Sequence, residues 1–307
     1  LIAMKTRFSV FILIALSGLA LLSSCGKKSE NKPVTGSLTV TDDLNYQVSF
    51  DKPPQRIISL APNLTEMIYS LGMGPQLAGN TLYCTYPPEA RKVTKVGDML
   101  TFDYEKILSL KPDLIFITVE GNSKDSFNKL KALGLKIFVS NPRDFKGIVK
   151  TYTDMGRIFG KQKAADSAAS AWKASYDSII TASASRPHPE CMFLVGINPV
   201  MVAGKNTFIN ELITSAGLKN IAADAPQNYP VYSREEIVKR NPDVIIMAGD
   251  TQQDEVKIKD SYPEWRALKA LRNNRILIVD PDLYMRPGPR FIKALKELYS
   301  RVHHPED

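Results

Sequence analysis

The chain has 307 residues, with 40 Lys and Arg against 32 Asp and Glu, and a formal net charge of +8. That length is enough for two lobes with cores of their own. The basic residues are scattered rather than gathered in a block, which argues against a nucleic-acid surface, and three Cys are too few for a disulfide-built scaffold.

Lys5 and Arg7 precede the apolar run FSVFILIALSGLALLSSC, closed by small residues. This is the pattern of a secretory signal over residues 1–24, and the run is short for a membrane span. Leu22-Ser23-Ser24-Cys25 resembles a bacterial lipoprotein processing box, in which the Cys becomes the first residue and carries acyl chains. Ser24 stands where Gly or Ala is commoner, and an ordinary signal with an incidental Cys is the alternative. Residues 25–37 are polar and read as a flexible tether. The expectation is an exported protein, anchored on the periplasmic side of a membrane through lipid on Cys25. Loss of Lys5 and Arg7 with the leader brings the charge of +8 to +6.

Residues 38–144 read as a parallel α/β lobe. LTVTDDLNYQVSF alternates around a turn and predicts a hairpin. Arg56–Leu60 is a strand, and Asn63 stands three residues before Glu66, a capping-box spacing for the helix LTEMIYSLG. GPQLAGNTLY adds a strand that Tyr86-Pro87-Pro88 breaks, and SFNKLKALGLKIFVSN adds a helix and a strand. Residues 145–185 show helical spacing and predict one long connecting helix, bent near Gly160. Residues 186–307 begin with the strand CMFLVGI and form a second α/β lobe, with helices FINELITSAG, WRALKAL and FIKALKELYSRV and the strand RILIVD. Cys84 and Cys191 fall in different lobes and are expected to be unpaired. Trp172 and Trp265 lie on helical faces and are expected in the core.

One pattern occurs twice. DYEKILSLKPDLIFI (103–117) and SREEIVKRNPDVIIM (233–247) each carry a Glu, an Ile two places on, an apolar residue next, then Pro-Asp and an apolar strand. Glu105 and Glu235 are 130 residues apart, a distance that suits two similar lobes rather than a short-period solenoid. Catalytic signatures are absent. The only His are His188, His303 and His304, and there is no HExxH, GxSxG or CxxC. Gly204-Lys205 is similar to part of a phosphate loop, but Asn206 replaces the Ser/Thr. SLAPNLTE lacks the glycines of a dinucleotide fingerprint. An α/β enzyme acting on a small ligand remains the alternative from another class.

RIISLAPNLTEMIYSLG, YCTYPPEARKVTKVGD, KILSLKPDLIF, VGINPVMVAGK, YSREEIVKRNPDVIIMAG and RPGPRFIKAL together resemble the substrate-binding subunits of ABC importers for cobalamin. These belong to the helical-backbone periplasmic binding proteins, which also include ferric-siderophore and haem receptors. The resemblance spans about residues 38–300. It implies two Rossmann-like α/β lobes joined by a single long helix, a ligand in the inter-lobe cleft, and no catalytic residue, metal site or resident cofactor. It implies as partners a corrinoid and a permease dimer with its ATPase subunits, and as docking residues Glu105 and Glu235, one per lobe. The alternative role for each Glu is stabilisation of its helix N-terminus. By motif position, Tyr83, Met99, Tyr229 and Arg286 are expected at the ligand. Tyr229, Met99 and Thr118 or Val119 stand where the family has Trp, which leaves the ligand preference open to a siderophore or haem. Asn63, Phe102, Asn198 and Tyr284, near strand ends, complete the expected ligand set.

Overall fold

The computed structural model describes residues 37–249 and 252–304. The leader over 1–24, Cys25 and all of the 25–37 tether but its last residue lie outside the described residues. The hairpin of β1 (Leu38–Thr41) and β2 (Gln47–Phe50) is antiparallel, as the alternation predicts. Asp42 Oδ1 accepts from the backbone N–H of Leu44 and Tyr46 at 2.9 and 2.8 Å and shapes its turn.

The first lobe contains β3 (Ile57–Ser59), α1 (Pro62–Ser70), β4 (Leu77–Asn80), α2 (Tyr104–Ser109), β5 (Leu114–Thr118), α3 (Lys124–Ala132) and β6 (Ile137–Ser140). Its sheet runs β4-β3-β5-β6, all parallel. All five residues of the central strand β5 are buried, as expected where helices cover both faces. Leu114 and Phe116 face the layer of α1, whereas Ile115 and Ile117 face that of Ile107 and Leu130 in α2 and α3.

Residues 145–185 form two helices, not the one bent helix expected: α4 (Phe145–Ile158) and α5 (Gln162–Ala184). Gly160, at φ 66°, supplies the left-handed residue that closes α4. Lys161 N–H donates to Gly156 O at 2.7 Å and Gly160 N–H to Arg157 O at 3.1 Å, a Schellman stop. The helices then pack antiparallel. Phe145 stacks on Tyr176 with ring centroids 4.4 Å apart, and Tyr152 meets Trp172 at 4.6 Å. Gly156 is required at this crossing, because a Cβ there would stand 2.3 Å from that of Ala165. The single long helix between the lobes is therefore α5, 23 residues and about 34 Å long.

The second lobe contains β7 (Glu190–Ile197), β8 (Val200–Val202), α6 (Phe208–Ser215), β9 (Lys219–Asn220), α7 (Arg234–Arg240), β10 (Val244–Ala248), α8 (Gln252–Ser261), α9 (Lys269–Arg272), β11 (Ile276–Val279), α10 (Pro281–Tyr284) and α11 (Phe291–His303). Its sheet runs β11-β10-β7-β8, with β9 also on β7. Only β8 is antiparallel to its neighbour. WRALKAL, expected as one helix, is a 3₁₀ turn over Pro263–Ala267 followed by α9, and Trp265 is fully buried. Cys84 and Cys191 are both buried and unpaired. Among the described residues, no helix is long and apolar enough to cross a membrane.

The repeated motif has one structural job in both lobes. Asp103 and Ser233 cap α2 and α7, accepting from the N–H of Lys106 at 2.9 Å and of Glu236 at 3.1 Å. Lys111 and Asn241, at φ 49° and 46°, take the left-handed conformation after each helix. Pro112 and Pro242 then prevent its continuation. The Asp113 carboxylate accepts from Gln55 and Arg56 N–H at 2.7 and 3.1 Å, and that of Asp243 from Glu190 N–H at 2.9 Å. Each Pro-Asp thus ties the start of its strand to the start of the neighbouring one.

Candidate functional site

A cavity of about 650 Å³ lies between the lobes, within the usual size range for small-molecule sites. Its walls come largely from the carboxyl ends of strands, where parallel α/β sheets ordinarily bind ligands. The first lobe supplies Asn63 after β3, Tyr83 after β4, Thr118 and Glu120 at the end of β5, and Pro142 after β6. The second supplies Met201 in β8, Phe208 and Ile209 at the start of α6, Tyr229, and Pro281, Asp282, Met285, Arg286 and Pro287 after β11.

Of the expected ligand residues, the structure brings Asn63, Tyr83, Met99, Tyr229 and Arg286 to this cavity. Thr118 lines it as well, while Val119 lines a separate surface pocket. Three expectations are corrected. Phe102 is 6% exposed and packs in the core of its lobe. A bridge between Gly97 and Phe102 closes the intervening turn, so the ring goes inward and Met99 reaches the cavity. Tyr284 is fully buried, and its hydroxyl donates to Glu297 Oε1 at 3.2 Å, so its neighbour Met285 is the one that faces the cleft. Asn198 is exposed in the β7–β8 turn, away from the cavity wall.

Sequence reading missed two acids, Glu66 and Glu120. Glu66 was assigned to a capping box with Asn63, but α1 begins at Pro62 with Ala61 as an uncharged cap, and neither side chain caps it. Both reach the other lobe instead. Asn63 Nδ2 donates to Pro287 O at 3.2 Å. Glu66, its side chain 2% exposed, accepts from Arg290 Nε and Nη2 at 2.8 and 2.6 Å and from Arg286 Nη1 at 3.1 Å. The fork of Arg290 matches the carboxylate plane, the strong form of this pairing. Arg286 Nη2 also donates to Tyr83 O at 3.2 Å, Thr85 Oγ1 at 3.1 Å and Asp282 Oδ1. The Arg expected to meet ligand is thus largely engaged in holding the lobes together.

Glu120 is the other overlooked group. It pairs with Arg143, and the Tyr229 hydroxyl approaches its Oε2 at 3.5 Å from the opposite lobe. Burial outweighs the attraction of Arg143 and pushes the Glu120 carboxyl above its usual range. Burial, reinforced by Glu120, pushes the Tyr229 phenol up, so it remains a donor. An acid placed two residues beyond a buried parallel strand and followed by Gly121 was the available signal.

Glu105 and Glu235 do not face the cavity. They are exposed in the first turns of α2 and α7. Each helix leads into a parallel strand, so its first turn lies on the carboxyl-end side of its sheet, the side on which the cleft opens. Glu236 is engaged by Arg240 Nε at 2.7 Å, which leaves Glu235 as the outward acid of the second copy. Hydrogen bonds from its own backbone N–H and from Ser233 hold the Glu235 carboxyl below its usual range.

Comparison with known proteins agrees with this geometry. Residues 57–283 match the family of periplasmic binding proteins, and the chain belongs to that family. It is 32% identical to an uncharacterized ABC transporter substrate-binding lipoprotein of Bacillus subtilis, over 98% of each chain. The solved periplasmic vitamin B12-binding protein of Vibrio cholerae is similar at 28% identity and a TM-score of 0.73, covering 81% of this chain and 98% of its own. A periplasmic heme-binding protein from Roseiflexus sp. RS-1 is similar at 26% identity and a TM-score of 0.72, covering 80% and 96%. The chain is a substrate-binding protein of the ABC-transporter class, a protein of transport on the extracytoplasmic side and not an enzyme.

Removing the shared anion leaves two guanidinium groups buried without it. Glu66→Ala should cost roughly 3–5 kcal/mol of stability, read as a lowered urea midpoint. An unchanged midpoint would contradict the role assigned to the ion cluster.

Proposed function

We propose that the chain is the lipid-anchored receptor of an ABC importer, that it binds cobalamin or a related corrinoid in the inter-lobe cavity, and that it delivers the ligand to a permease dimer. The anchor is the lipid on Cys25. The observation that carries the corrinoid reading is the charge state of the cleft. Its walls are mainly apolar and aromatic, and its Arg286 is already paired with Glu66 and Asp282. An anionic ferric siderophore would require cations free to receive it. A corrinoid offers a broad apolar ring with mostly neutral amides, which Met99, Met285 and Tyr229 can cover and which Glu120 and Asn63 can hydrogen-bond. Haem is the second reading, favoured by Tyr83, 58% exposed at the cavity with its hydroxyl in no hydrogen bond among the described residues.

Calorimetry of the tether-free protein with cyanocobalamin, cobinamide, haem and a ferric catecholate separates these readings. Tight binding of the corrinoids alone is the expected result, and tight binding of haem alone would replace the first reading with the second.

The exposed Glu105 and Glu235 serve as docking charges in this reading, one for each half of a two-fold permease. Charge reversal at both, Glu105→Arg with Glu235→Arg, should abolish ligand uptake by cells while ligand affinity stays unchanged. Full uptake by the double variant would rule out the docking role.

A further inference from the structure

The two helices that carry the docking acids share more than the acid. From cap to left-handed residue, Asp103 to Lys111 and Ser233 to Asn241, the copies correspond position for position in the sequence. Ile107 and Ile237 coincide and are both fully buried. The next positions, Leu108 and Val238, also coincide, yet both turn outward, 41% and 38% exposed. The i,i+3 spacing sets each on the same helical face as its Glu. A further exposed aliphatic residue precedes each cap: Leu100 at 71% and Val231 at 56%.

A single exposed Leu or Val is ordinary and needs no explanation. Here the surrounding positions differ freely between the copies, Lys106 against Glu236 and Ser109 against Lys239. The exposed position three residues after the acid nevertheless stays aliphatic in both. Folding does not require this, because Ile107 and Ile237 already anchor the helices to their sheets.

Resting on the docking reading above, we propose that each docking half-site is an acid joined to an aliphatic side chain on the same helical face, Glu105 with Leu108 and Glu235 with Val238. The occupant is a two-fold pair of membrane subunits, each presenting a basic side chain beside an apolar socket. One chain that carries the same acid-and-aliphatic unit twice fits a partner that repeats its own surface twice. The two components do different work. The acids steer encounter and weaken with salt. The aliphatic groups lose water on contact and contribute an affinity that salt does not screen.

The test is the affinity of the full chain for its cognate permease–ATPase complex in nanodiscs, measured across a salt series. The double variant Leu108→Ser with Val238→Ser should bind about tenfold more weakly at every salt concentration, with the salt slope of the unaltered chain. Glu105→Gln with Glu235→Gln should lose most of that slope. The urea midpoint of each variant checks folding. Serine variants that bind with unaltered affinity would overturn the aliphatic half of the site and leave the docking acids standing. Glutamine variants that keep both affinity and slope would remove the docking reading itself.

Discussion

A carboxylate cannot stay charged in a protein interior without partners, and Glu66 finds its partners only in the other lobe. Arg290 forks onto it and Arg286 shares one of its oxygens, so the ion cluster exists only while the lobes keep their relative placement. Two hydrogen bonds add ties beside it: Asn63 Nδ2 to Pro287 O and Thr85 Oγ1 to the Asp282 carboxylate. A second layer of constraint is apolar. Phe116 and Phe138 of the first lobe, Phe145 and Tyr152 of α4, Ile179 of α5, and Phe193 and Leu295 of the second lobe belong to one contiguous cluster of buried residues. Lobes joined through an extensive apolar interface do not swing as free domains do.

The same cluster sets the chemistry of the cleft. Arg286 is spent on Glu66 and Asp282, and Glu120 is paired with Arg143, so the cavity offers apolar area and hydrogen-bond acceptors in place of unpaired positive charge. Selection then rests on shape, on aromatic and Met surface, and on a few polar contacts. Outside the cleft the division of labour is different. The repeated helices fasten strands through Asp113 and Asp243 on one side and present acids on the other. One local motif therefore builds each lobe and sets an exposed acid on its surface.

The architecture was legible in the sequence because its signals are local. Apolar strands, glycine stops and the Pro-Asp repeat each act within a few residues, and the four residues read from family motifs, with Asn63 from a strand end, line the cleft. What was not legible depends on distant partners or on side-chain direction. Glu66 and Asn63 satisfy the spacing of a helix cap, and their true partners lie more than 200 residues away in the chain. Phe102 and Tyr284 stand close to cleft residues in the chain but turn into their cores, with Met99 and Met285 at the cavity instead. The break between α4 and α5 was visible as Gly160, but only the close crossing at Gly156 shows that the chain reverses there rather than bends. The strands β8 and β9, of three and two residues, are too short to carry a periodic signal.

The central claim is that the buried ion cluster and the shared apolar layer hold the lobes as one rigid clamp. It is tested most directly by spin labels on exposed helix sites of the two lobes, Lys129 in α3 and Lys239 in α7, with the distance distribution between them measured without ligand and at saturation. The account predicts distributions that coincide to within about 2 Å, and a broadening after Glu66→Ala. A shift of many ångströms on ligand binding in the unaltered chain would contradict it.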